Sequence, residues 1–266
     1  MKALTNSKQV PSLEEEMALL SQGYSFIAGV DEAGRGSLAG PVVAAAVIIP
    51  LGDRSPSQFD PDECLERFAG VRDSKQLTAR ERERLFEVVM QHALSVGVGI
   101  GSVEIIDERN ILQATKYAMR DAIAQLKTPP QALLLDAIHL PDAELLQRSI
   151  IKGDALCLSI AAASIIAKVT RDRIMVQLHE LFPGYGFARH KGYGTEEHLA
   201  ALREHGATPH HRRSFAPVRE LFGLFQEEDL NGSRLVANPI LGRGDTSVNI
   251  TEIVRTQGAN CSDVGR

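Results

Sequence analysis

Short apolar segments typical of β-strands alternate with longer helical segments from residue 26 to residue 181. The strand-like segments lie at residues 26–30, 42–49, 95–103, 132–136 and 149–154. The helical segments lie at residues 12–20, 78–94, 104–126 and 158–181. Thr78 and Glu81 form a capping box at the start of the second of these helices. Such interleaving predicts an α/β fold, in which a mixed β-sheet is flanked by helices.

Length and composition fit one globular domain with short appendages. The chain has 266 residues, 44% of them hydrophobic, which is enough to bury a large core. We expect a lead-in segment at residues 1–25 and a folded domain at residues 26–226, which ends in a helical extension from about residue 171. Periodicity is then lost, and residues 227–266 are predicted to form a mostly disordered tail.

Charge and cysteine usage exclude several classes of protein. The formal net charge of −5 argues against a polycation that coats DNA without specificity. The three cysteines are far apart and form no CxxC pair, so we expect neither a disulfide framework nor a zinc site. The N-terminus lacks an apolar signal core, and the apolar run at residues 38–50 is shorter than the roughly 20 residues that span a bilayer. We therefore expect a cytoplasmic protein with no membrane partner.

Acidic residues end three of the predicted strands. Asp31 and Glu32 follow the first strand, Asp136 ends the strand at residues 132–136, and Asp154 ends the segment at residues 149–154. One acid at a strand end is common in turns, but catalytic groups of α/β folds collect outside strand ends. Three such ends predict a cluster of carboxylates, whose mutual repulsion a hard divalent cation relieves. A pair of such ions about 3.5–4 Å apart stabilises both the attacking and the leaving oxygen of a phosphodiester.

Asp31 and Glu32 cannot both reach one metal ion from a regular strand, because adjacent side chains point to opposite faces. Two alternatives stay open. The strand has bent at Ala33–Gly34, or one of the two residues reaches the metal through its main-chain carbonyl or a water molecule. We expect Asp31 to be the central, bridging ligand.

Glycines and basic residues suggest where a nucleic acid would bind. Gly34, Arg35 and Gly36 lack the Lys and Ser/Thr of a P-loop, but exposed N–H groups and a guanidinium there could approach a sugar-phosphate. Lys75 precedes a helix, where it can meet a phosphate, and Tyr193 lies between two glycines, where its ring can stack. The other candidate residues of a basic surface are Lys168, Arg171, Arg173, Arg189, His190, Lys191, Arg212 and Arg213. Each of these alone is better explained as a solvated surface side chain than as a contact, and His205, His210 and His211 are predicted to be surface groups as well.

Several motifs, in order and with sensible spacing, give a specific resemblance to a known family. They are GVDEAGRGSLAGPVVAAAVI, DSKQL, IDERNILQATKYAM, ALLLD, KGD, SIAAASIIAKVTRD and HKGYGT. From about residue 26 to residue 219 the chain resembles ribonuclease HII. The resemblance implies a ribonuclease H-like fold with a C-terminal helical extension and Mg²⁺- or Mn²⁺-dependent endonuclease activity on RNA–DNA hybrids. It also implies cleavage on the 5′ side of single ribonucleotides in duplex DNA, which leaves 5′-phosphate and 3′-hydroxyl ends.

The resemblance also assigns roles to individual residues. The four catalytic, metal-binding acids of the family match Asp31, Glu32, Asp136 and Asp154. The segment that reads the ribose 2′-hydroxyl matches Gly34, Arg35 and Gly36, the tyrosine that senses the RNA–DNA junction matches Tyr193, and a phosphate contact matches Lys75. Ala137 departs from the family, which usually has glycine there, and we expect activity to survive this change. We expect a monomer, and the sequence is silent on protein partners.

Three rival functions stay open. A junction resolvase would use the same carboxylate cluster on a different substrate. A hybrid-binding protein that has lost catalysis is disfavoured because all four acids are present. Nucleotide binding at the glycine turn is disfavoured because two acids beside it would repel a triphosphate.

Overall fold

The computed structural model describes residues 10–51, 59–141 and 144–221. The predicted tail at residues 227–266 and the end of the predicted helical extension lie outside these residues. Five strands form one mixed sheet in the order β3-β2-β1-β4-β5. They are β1 (Ile27–Ala33), β2 (Val42–Ile48), β3 (Ser95–Gly101), β4 (Ala132–Asp136) and β5 (Leu146–Ile150). β1 pairs antiparallel with β2 and parallel with β4, and β4 pairs parallel with β5.

Helices lie before, between and after the strands: they separate β2 from β3 and β3 from β4, as the sequence pattern predicts. They are α1 (Glu14–Leu20), α2 (Pro61–Arg67), α3 (Ala79–His92), α4 (Val103–Ala124), α5 (Gly153–Leu156), α6 (Leu158–Leu181), α7 (Phe187–His190) and α8 (Glu196–His205). Both halves of the capping box of Thr78 and Glu81 are present at the start of α3. Residues 216–221 are also helical. No described helix is both long and apolar enough to cross a membrane.

The long predicted helix at residues 104–126 exists, but it is kinked. Asn110 has a φ of 68° inside α4, which is a conformation that interrupts helical geometry. The Asn110 side-chain oxygen accepts hydrogen bonds from the N–H groups of Leu112 and Gln113 at 3.0 and 3.1 Å. Asn110 therefore caps the second half of α4, as asparagine does at helix N-termini.

The chain forms two compact units. The described part of the first unit falls within residues 1–33, 43–100 and 115–169, and that of the second within residues 34–42, 101–114 and 170–266. The main apolar core lies in the first unit, where residues of β1, β2 and β4 pack with those of α3 and α6. A smaller cluster around Leu38, Leu202 and Val218 lies in the second unit.

α6 packs closely against the middle of β1, at a position where β1 has no side chain. Gly29 lies in the middle of β1, and a Cβ atom there would fall 2.2 Å from the carbonyl carbon of Ser159. Ser159 is held in turn by the buried carboxylate of Glu16, which accepts hydrogen bonds from the Ser159 N–H at 2.9 Å and its hydroxyl at 2.7 Å. Burial raises the pKa of Glu16, although the bonds from Ser159 lower it. The lead-in helix α1 thus packs as part of the first unit's core.

The predicted strand at residues 149–154 is wrong in its bounds. β5 ends at Ile150, Lys152 adopts a left-handed φ of 60°, and Gly153 begins the short helix α5. The apolar run that suggested a buried strand contains Ile151, whose side chain is exposed. Asp154 is therefore on a helix and not at the end of a strand.

Candidate metal centre

Asp31 lies on the central strand of the sheet, where neighbours on both sides fix its position. It faces Ala45 of β2 across an antiparallel pair. On the other side, β1 and β4 pair in parallel through Val30 and Leu135, so the next residues in register are Asp31 and Asp136. Because residues in register on adjacent strands share a face, the two carboxylates lie side by side. The sheet itself therefore brings the first two acids together.

Asp154 reaches the same place from α5. Gly153 at the start of this helix donates its N–H to Asp136 Oδ1 at 2.9 Å, which holds the turn against the end of β4. Asp154 is only 4% exposed. One carboxylate oxygen from each of Asp31, Asp136 and Asp154 lies within 4.8 Å of the other two. The structure thus brings together three of the four predicted acids.

These three carboxylates fit a hard divalent cation. Oxygen ligands of Mg²⁺, Mn²⁺ or Ca²⁺ lie at roughly 2.0–2.6 Å from the ion, so ligands of one ion are at most about 4–5 Å apart. Burial raises the pKa of Asp31 well above its usual range, and the charges of Glu32 and Asp136 raise it further. Burial also raises the pKa of Asp136, against the lowering effect of the Gly153 N–H. Negative charge is therefore costly here, and a cation would stabilise it.

Glu32 does not belong to this group of three carboxylates. The antiparallel pairing of β1 with β2 continues through Ala33, so the strand has not bent at Glu32. Adjacent residues of such a strand point to opposite faces. The Glu32 N–H nevertheless donates to Asp31 Oδ1 at 2.8 Å, and its charge raises the pKa of Asp31. Glu32 thus acts on the cluster by orienting Asp31 and by adding negative potential.

Lys75 bonds directly to one of the three carboxylates. Its ammonium donates to Asp154 Oδ2 at 2.8 Å, although the Lys75 side chain is 74% exposed. The turn that carries it is held by Asp73, whose Oδ1 accepts from the Lys75 N–H at 2.9 Å, and by the contact of the Ser74 hydroxyl with Ser164 at 2.8 Å. Burial lowers the pKa of Lys75, but the hydrogen bond to Asp154 and the negative charges of Asp154, Asp31 and Asp73 together outweigh burial and raise it. Lys75 is therefore a fixed positive charge beside the carboxylates.

Ala137 directly follows Asp136 at the end of β4 and adopts a left-handed backbone, with a φ of 52°. Its N–H still donates to the carbonyl of Ile150 at 3.1 Å, so the turn is ordered by β5. A left-handed conformation costs an L-residue with a Cβ roughly 1–2 kcal/mol, and glycine avoids this cost. This is a physical reason for the glycine that the ribonuclease HII family usually has here.

Ala137→Gly is expected to raise the free energy of unfolding by about 0.5–1 kcal/mol, because relief of strain exceeds the added entropy of the unfolded chain. Metal-dependent cleavage should stay within twofold of wild type. Thermal unfolding and initial rates measure the two effects. A lower melting temperature would mean that the backbone at residue 137 is not strained.

The Gly34–Arg35–Gly36 segment lies in the second unit. Gly34 has a φ of 95°, and a Cβ atom there would fall 1.9 Å from Arg171 Nε. Nothing lies within 4 Å of the corresponding position at Gly36. Arg35 and Gly36 are exposed. The fold itself requires glycine at position 34 but not at position 36.

Arg212 holds this segment and Arg171 holds the nearby residues Ala39 and Pro41, although the sequence predicts solvated or nucleic-acid-binding side chains at both arginines. That prediction is wrong for Arg171 and Arg212, which are both 0% exposed. Arg212 donates to the carbonyls of Gly34, Arg35 and Gly40 at 2.7, 2.8 and 3.0 Å. Arg171 donates to those of Pro41, Lys191 and Ala39 at 2.9, 2.9 and 3.1 Å. A guanidinium has five N–H donors in a rigid fork, which suits it to fastening several carbonyls of an irregular loop.

Tyr193 is 39% exposed and lies 5.7 Å, measured to its ring centroid, from the Arg171 guanidinium. Its ring is therefore available to a ligand. The Arg171 guanidinium fixes both the loop that carries Tyr193 and the loop at residues 39–41. The prediction that the nearby histidines are surface groups is wrong for His211, which is 1% exposed, and His190, His205 and His210 are half-buried. The aromatic residues interleaved with these histidines in the sequence could have indicated a packed cluster. In the structure, the aromatic rings contact each other and the imidazole rings.

The sequence of this chain matches a known protein family. The family model described as Ribonuclease HII matches residues 28–218. Ribonuclease HII of Desulfitobacterium hafniense is 52% identical over 208 residues, which is 78% of this chain and 75% of that protein. The Geobacillus thermodenitrificans protein of the same name is 55% identical over 209 residues, 79% of this chain and 75% of that one.

Solved structures support the same fold. The crystal structure of ribonuclease H2 from Pyrococcus horikoshii superposes with a TM-score of 0.61 at 29% identity, over 76% of this chain and 99% of that one. The predicted mixed sheet flanked by helices, with helices at the C-terminal end, is confirmed.

Proposed function

The chain belongs to the ribonuclease HII family, and we propose that Asp31, Asp136 and Asp154 form the metal centre with which it cleaves RNA. As a member of that family it is a metal-dependent ribonuclease H endonuclease that acts on RNA-containing nucleic acid. One observation carries the proposal: carboxylate oxygens from three separate elements lie within 4.8 Å of one another. Such crowding is costly unless a cation is bound.

The proposed cofactor is Mg²⁺ or Mn²⁺. When bound, such ions supply Lewis-acid chemistry at a phosphodiester and lower the pKa of a water molecule. Asp31, Asp136 and Asp154 would be direct ligands, and Glu32 would contribute through its main-chain carbonyl or through a water molecule. One oxygen of each direct ligand is already held by a donor: the Glu32 N–H, the Gly153 N–H and the Lys75 ammonium. These bonds orient the carboxylates before the substrate arrives.

The proposed substrates are RNA–DNA hybrids and duplex DNA that contains a single ribonucleotide. Cleavage on the 5′ side of that ribonucleotide would leave 5′-phosphate and 3′-hydroxyl ends. Gly34, Arg35 and Gly36 would read the 2′-hydroxyl, the group by which a protein distinguishes RNA from DNA at one position. Lys75 would contact a phosphate, which its exposure and fixed charge support, and Tyr193 would stack at the RNA–DNA junction.

We also propose that one chain acts alone, in the cytoplasm. All three carboxylates come from a single chain, so the metal centre needs no second subunit. Cys64 and Cys157 are buried free thiols, which fits a reducing compartment. The proposed catalytic domain is residues 26–226, after the lead-in segment 1–25, and the match of the family model to residues 28–218 supports it.

A panel of four substrates tests the proposed function. We expect Mg²⁺-dependent cleavage of an RNA–DNA hybrid and of a DNA duplex with one ribonucleotide, with a single cut 5′ to that ribonucleotide. Plain duplex DNA and a four-way DNA junction should stay intact. Cleavage of the junction but not of the ribonucleotide duplex would instead identify a resolvase, and binding of hybrid without any cleavage would identify a binding protein.

A further inference from the structure

The main chain of Tyr193 is held by a histidine of α8. The Tyr193 carbonyl accepts a hydrogen bond from the Thr195 N–H at 2.8 Å and contacts His198 Nδ1 at 2.9 Å. The Tyr193 N–H donates to the carbonyl of His190 at 3.0 Å. Tyr193 thus presents an exposed ring on a backbone whose polar groups are bonded to its own unit.

His198 does not act alone, because its second ring nitrogen contacts His211. The two Nε2 atoms are 3.0 Å apart, and both side chains are inaccessible to solvent, with residue exposures of 0% and 1%. His211 Nδ1 in turn lies 2.9 Å from the main-chain nitrogen of Thr208. Four groups therefore form one continuous chain of contacts, which runs from Thr208 through both histidines to Tyr193.

The ends of this chain determine the proton on every nitrogen. A main-chain N–H can only donate, so His211 Nδ1 accepts from Thr208 and the proton of the neutral His211 ring is on Nε2. His211 then donates to His198 Nε2, which places the proton of His198 on Nδ1. That proton points at the Tyr193 carbonyl, which can only accept. The Thr208 hydroxyl also lies 2.9 Å from His211 Nδ1 and can donate to it as well. The bond from the Thr208 N–H therefore selects one neutral tautomer for each histidine and gives the chain one direction.

A further proton would disrupt this chain. A charged His198 would direct an N–H at the Nε2–H of His211. A charged His211 would lose the hydrogen bond that its Nδ1 accepts from the Thr208 N–H, although the Thr208 hydroxyl oxygen could then accept from Nδ1. Burial lowers the pKa of His198 to about 4, and the nearby His190, which stacks on it at 4.5 Å, lowers it too, whereas Tyr193 and Glu197 raise it. Burial lowers the pKa of His211 to about 3, and His198, His210 and His190 lower it too, whereas a main-chain hydrogen bond with Thr208 raises it. Both rings are therefore neutral at physiological pH.

We propose that His211 and His198 are a two-histidine relay that positions Tyr193 for substrate, so that both are positioning residues for recognition of the ribonucleotide. This rests on the proposed function, in which Tyr193 contacts the substrate. The relay ends on the carbonyl of the residue whose ring is presented, between Gly192 and Gly194, which leave the loop little rigidity of its own. Losing the bond from His198 would let the loop move and misplace the ring.

The test compares His198→Gln with His198→Asn on a duplex that contains one ribonucleotide. The amide nitrogen of asparagine can occupy the place of Nδ1 and donate to the Tyr193 carbonyl, whereas the longer glutamine places its amide nearer to Nε2. We expect His198→Gln to raise KM about 5- to 10-fold with kcat within twofold, and His198→Asn to recover most of the loss. His205→Gln, on the same helix, is the matched control and should leave both constants unchanged.

A double-mutant cycle with Tyr193→Ala separates positioning from a general effect on folding. If His198 acts through the tyrosine ring, His198→Gln should change KM less than twofold once that ring is absent. Equal effects of His198→Gln with and without the ring would overturn the proposal. If wild type cleaves no ribonucleotide duplex, the proposed function fails instead, so the two failures are distinguishable.

Nitrogen NMR of the wild-type imidazoles keeps the proposal testable even if His198→Gln does not fold. We expect His211 to carry its proton on Nε2 and His198 on Nδ1, with both rings neutral from pH 8 down to about pH 5. The opposite tautomer on either ring, or a charged ring at neutral pH, would overturn the relay.

Discussion

Asp31→Asn is expected to abolish cleavage and, at the same time, to make the metal-free protein more stable. Asp31 is 3% exposed, and burial, followed by the charges of Glu32 and Asp136, raises its pKa well above the usual range. Ionising this carboxylate in the folded protein therefore costs folding free energy. Asparagine removes the charge while its side-chain oxygen can still accept from the Glu32 N–H. We expect a gain of about 1–2 kcal/mol in the free energy of unfolding, and a loss of roughly a thousandfold or more in cleavage rate.

The size of this gain depends on pH. Because the folded-state pKa values of Asp31 and Asp136 are raised, the folded chain binds these protons more tightly than the unfolded chain does. Their stabilising contribution is fully present below the usual value of 3.8 and is lost as pH rises through the folded-state values. Wild type and Asp31→Asn should therefore unfold alike in acid and diverge toward neutral pH.

Thermal unfolding with and without Mn²⁺ measures both effects. Wild type should be stabilised strongly by Mn²⁺ at neutral pH and Asp31→Asn much less, since one ligand is lost. The exposed Asp62→Asn in α2 is the matched control, with no change in cleavage or in the response to Mn²⁺. An Asp31→Asn variant that is less stable than wild type without metal, or that cleaves normally, would refute the assignment.

Gly34→Ala is expected to damage the fold as well as activity. The added methyl group would lie 1.9 Å from Arg171 Nε, and a φ of 95° is a conformation that alanine rarely adopts. Arg171 cannot move freely, because its guanidinium also holds the carbonyls of Pro41, Ala39 and Lys191. We expect the free energy of unfolding to fall by about 2–4 kcal/mol, together with loss of cleavage.

Gly36→Ala is the matched comparison for Gly34→Ala, because nothing lies within 4 Å of its added methyl group. Its thermal unfolding should be nearly that of wild type. If the backbone here approaches a ribose, KM for a ribonucleotide duplex should still rise about 10-fold. A normal KM in Gly36→Ala would remove this residue from the proposed substrate site. Normal stability in Gly34→Ala would show that the Arg171 side chain can move to make room for the methyl group.

The sequence predicted the parts of the site that depend on regular structure. Asp31 and Asp136 follow from strand-like segments, because two strands in register place successive residues of the same face together. Asp154 was expected in the right cluster but on the wrong element, since a short apolar run does not distinguish an edge strand followed by a turn from a buried strand. The kink at Asn110 was missed for a similar reason, as the apolar pattern continues across it.

Other features could not be predicted because they depend on partners far away in sequence. Arg171 is buried by carbonyls of residues 39–41 and 191, and Arg212 by those of Gly34, Arg35 and Gly40. No periodicity encodes such contacts, and composition favours arginine at the surface. The direction of the histidine chain likewise depends on the N–H of Thr208 and the carbonyl of Tyr193, which only the folded backbone brings into line.

The metal centre is tested most directly by anomalous scattering from a crystal of the wild-type protein soaked in Mn²⁺. The expected result is a strong anomalous peak within about 2.0–2.6 Å of carboxylate oxygens of Asp31, Asp136 and Asp154. That peak should disappear in a crystal of Asp136→Asn treated in the same way. Mn²⁺ bound elsewhere while these three carboxylates have no peak, in a crystal whose protein cleaves a ribonucleotide duplex, would contradict a catalytic metal centre at this cluster.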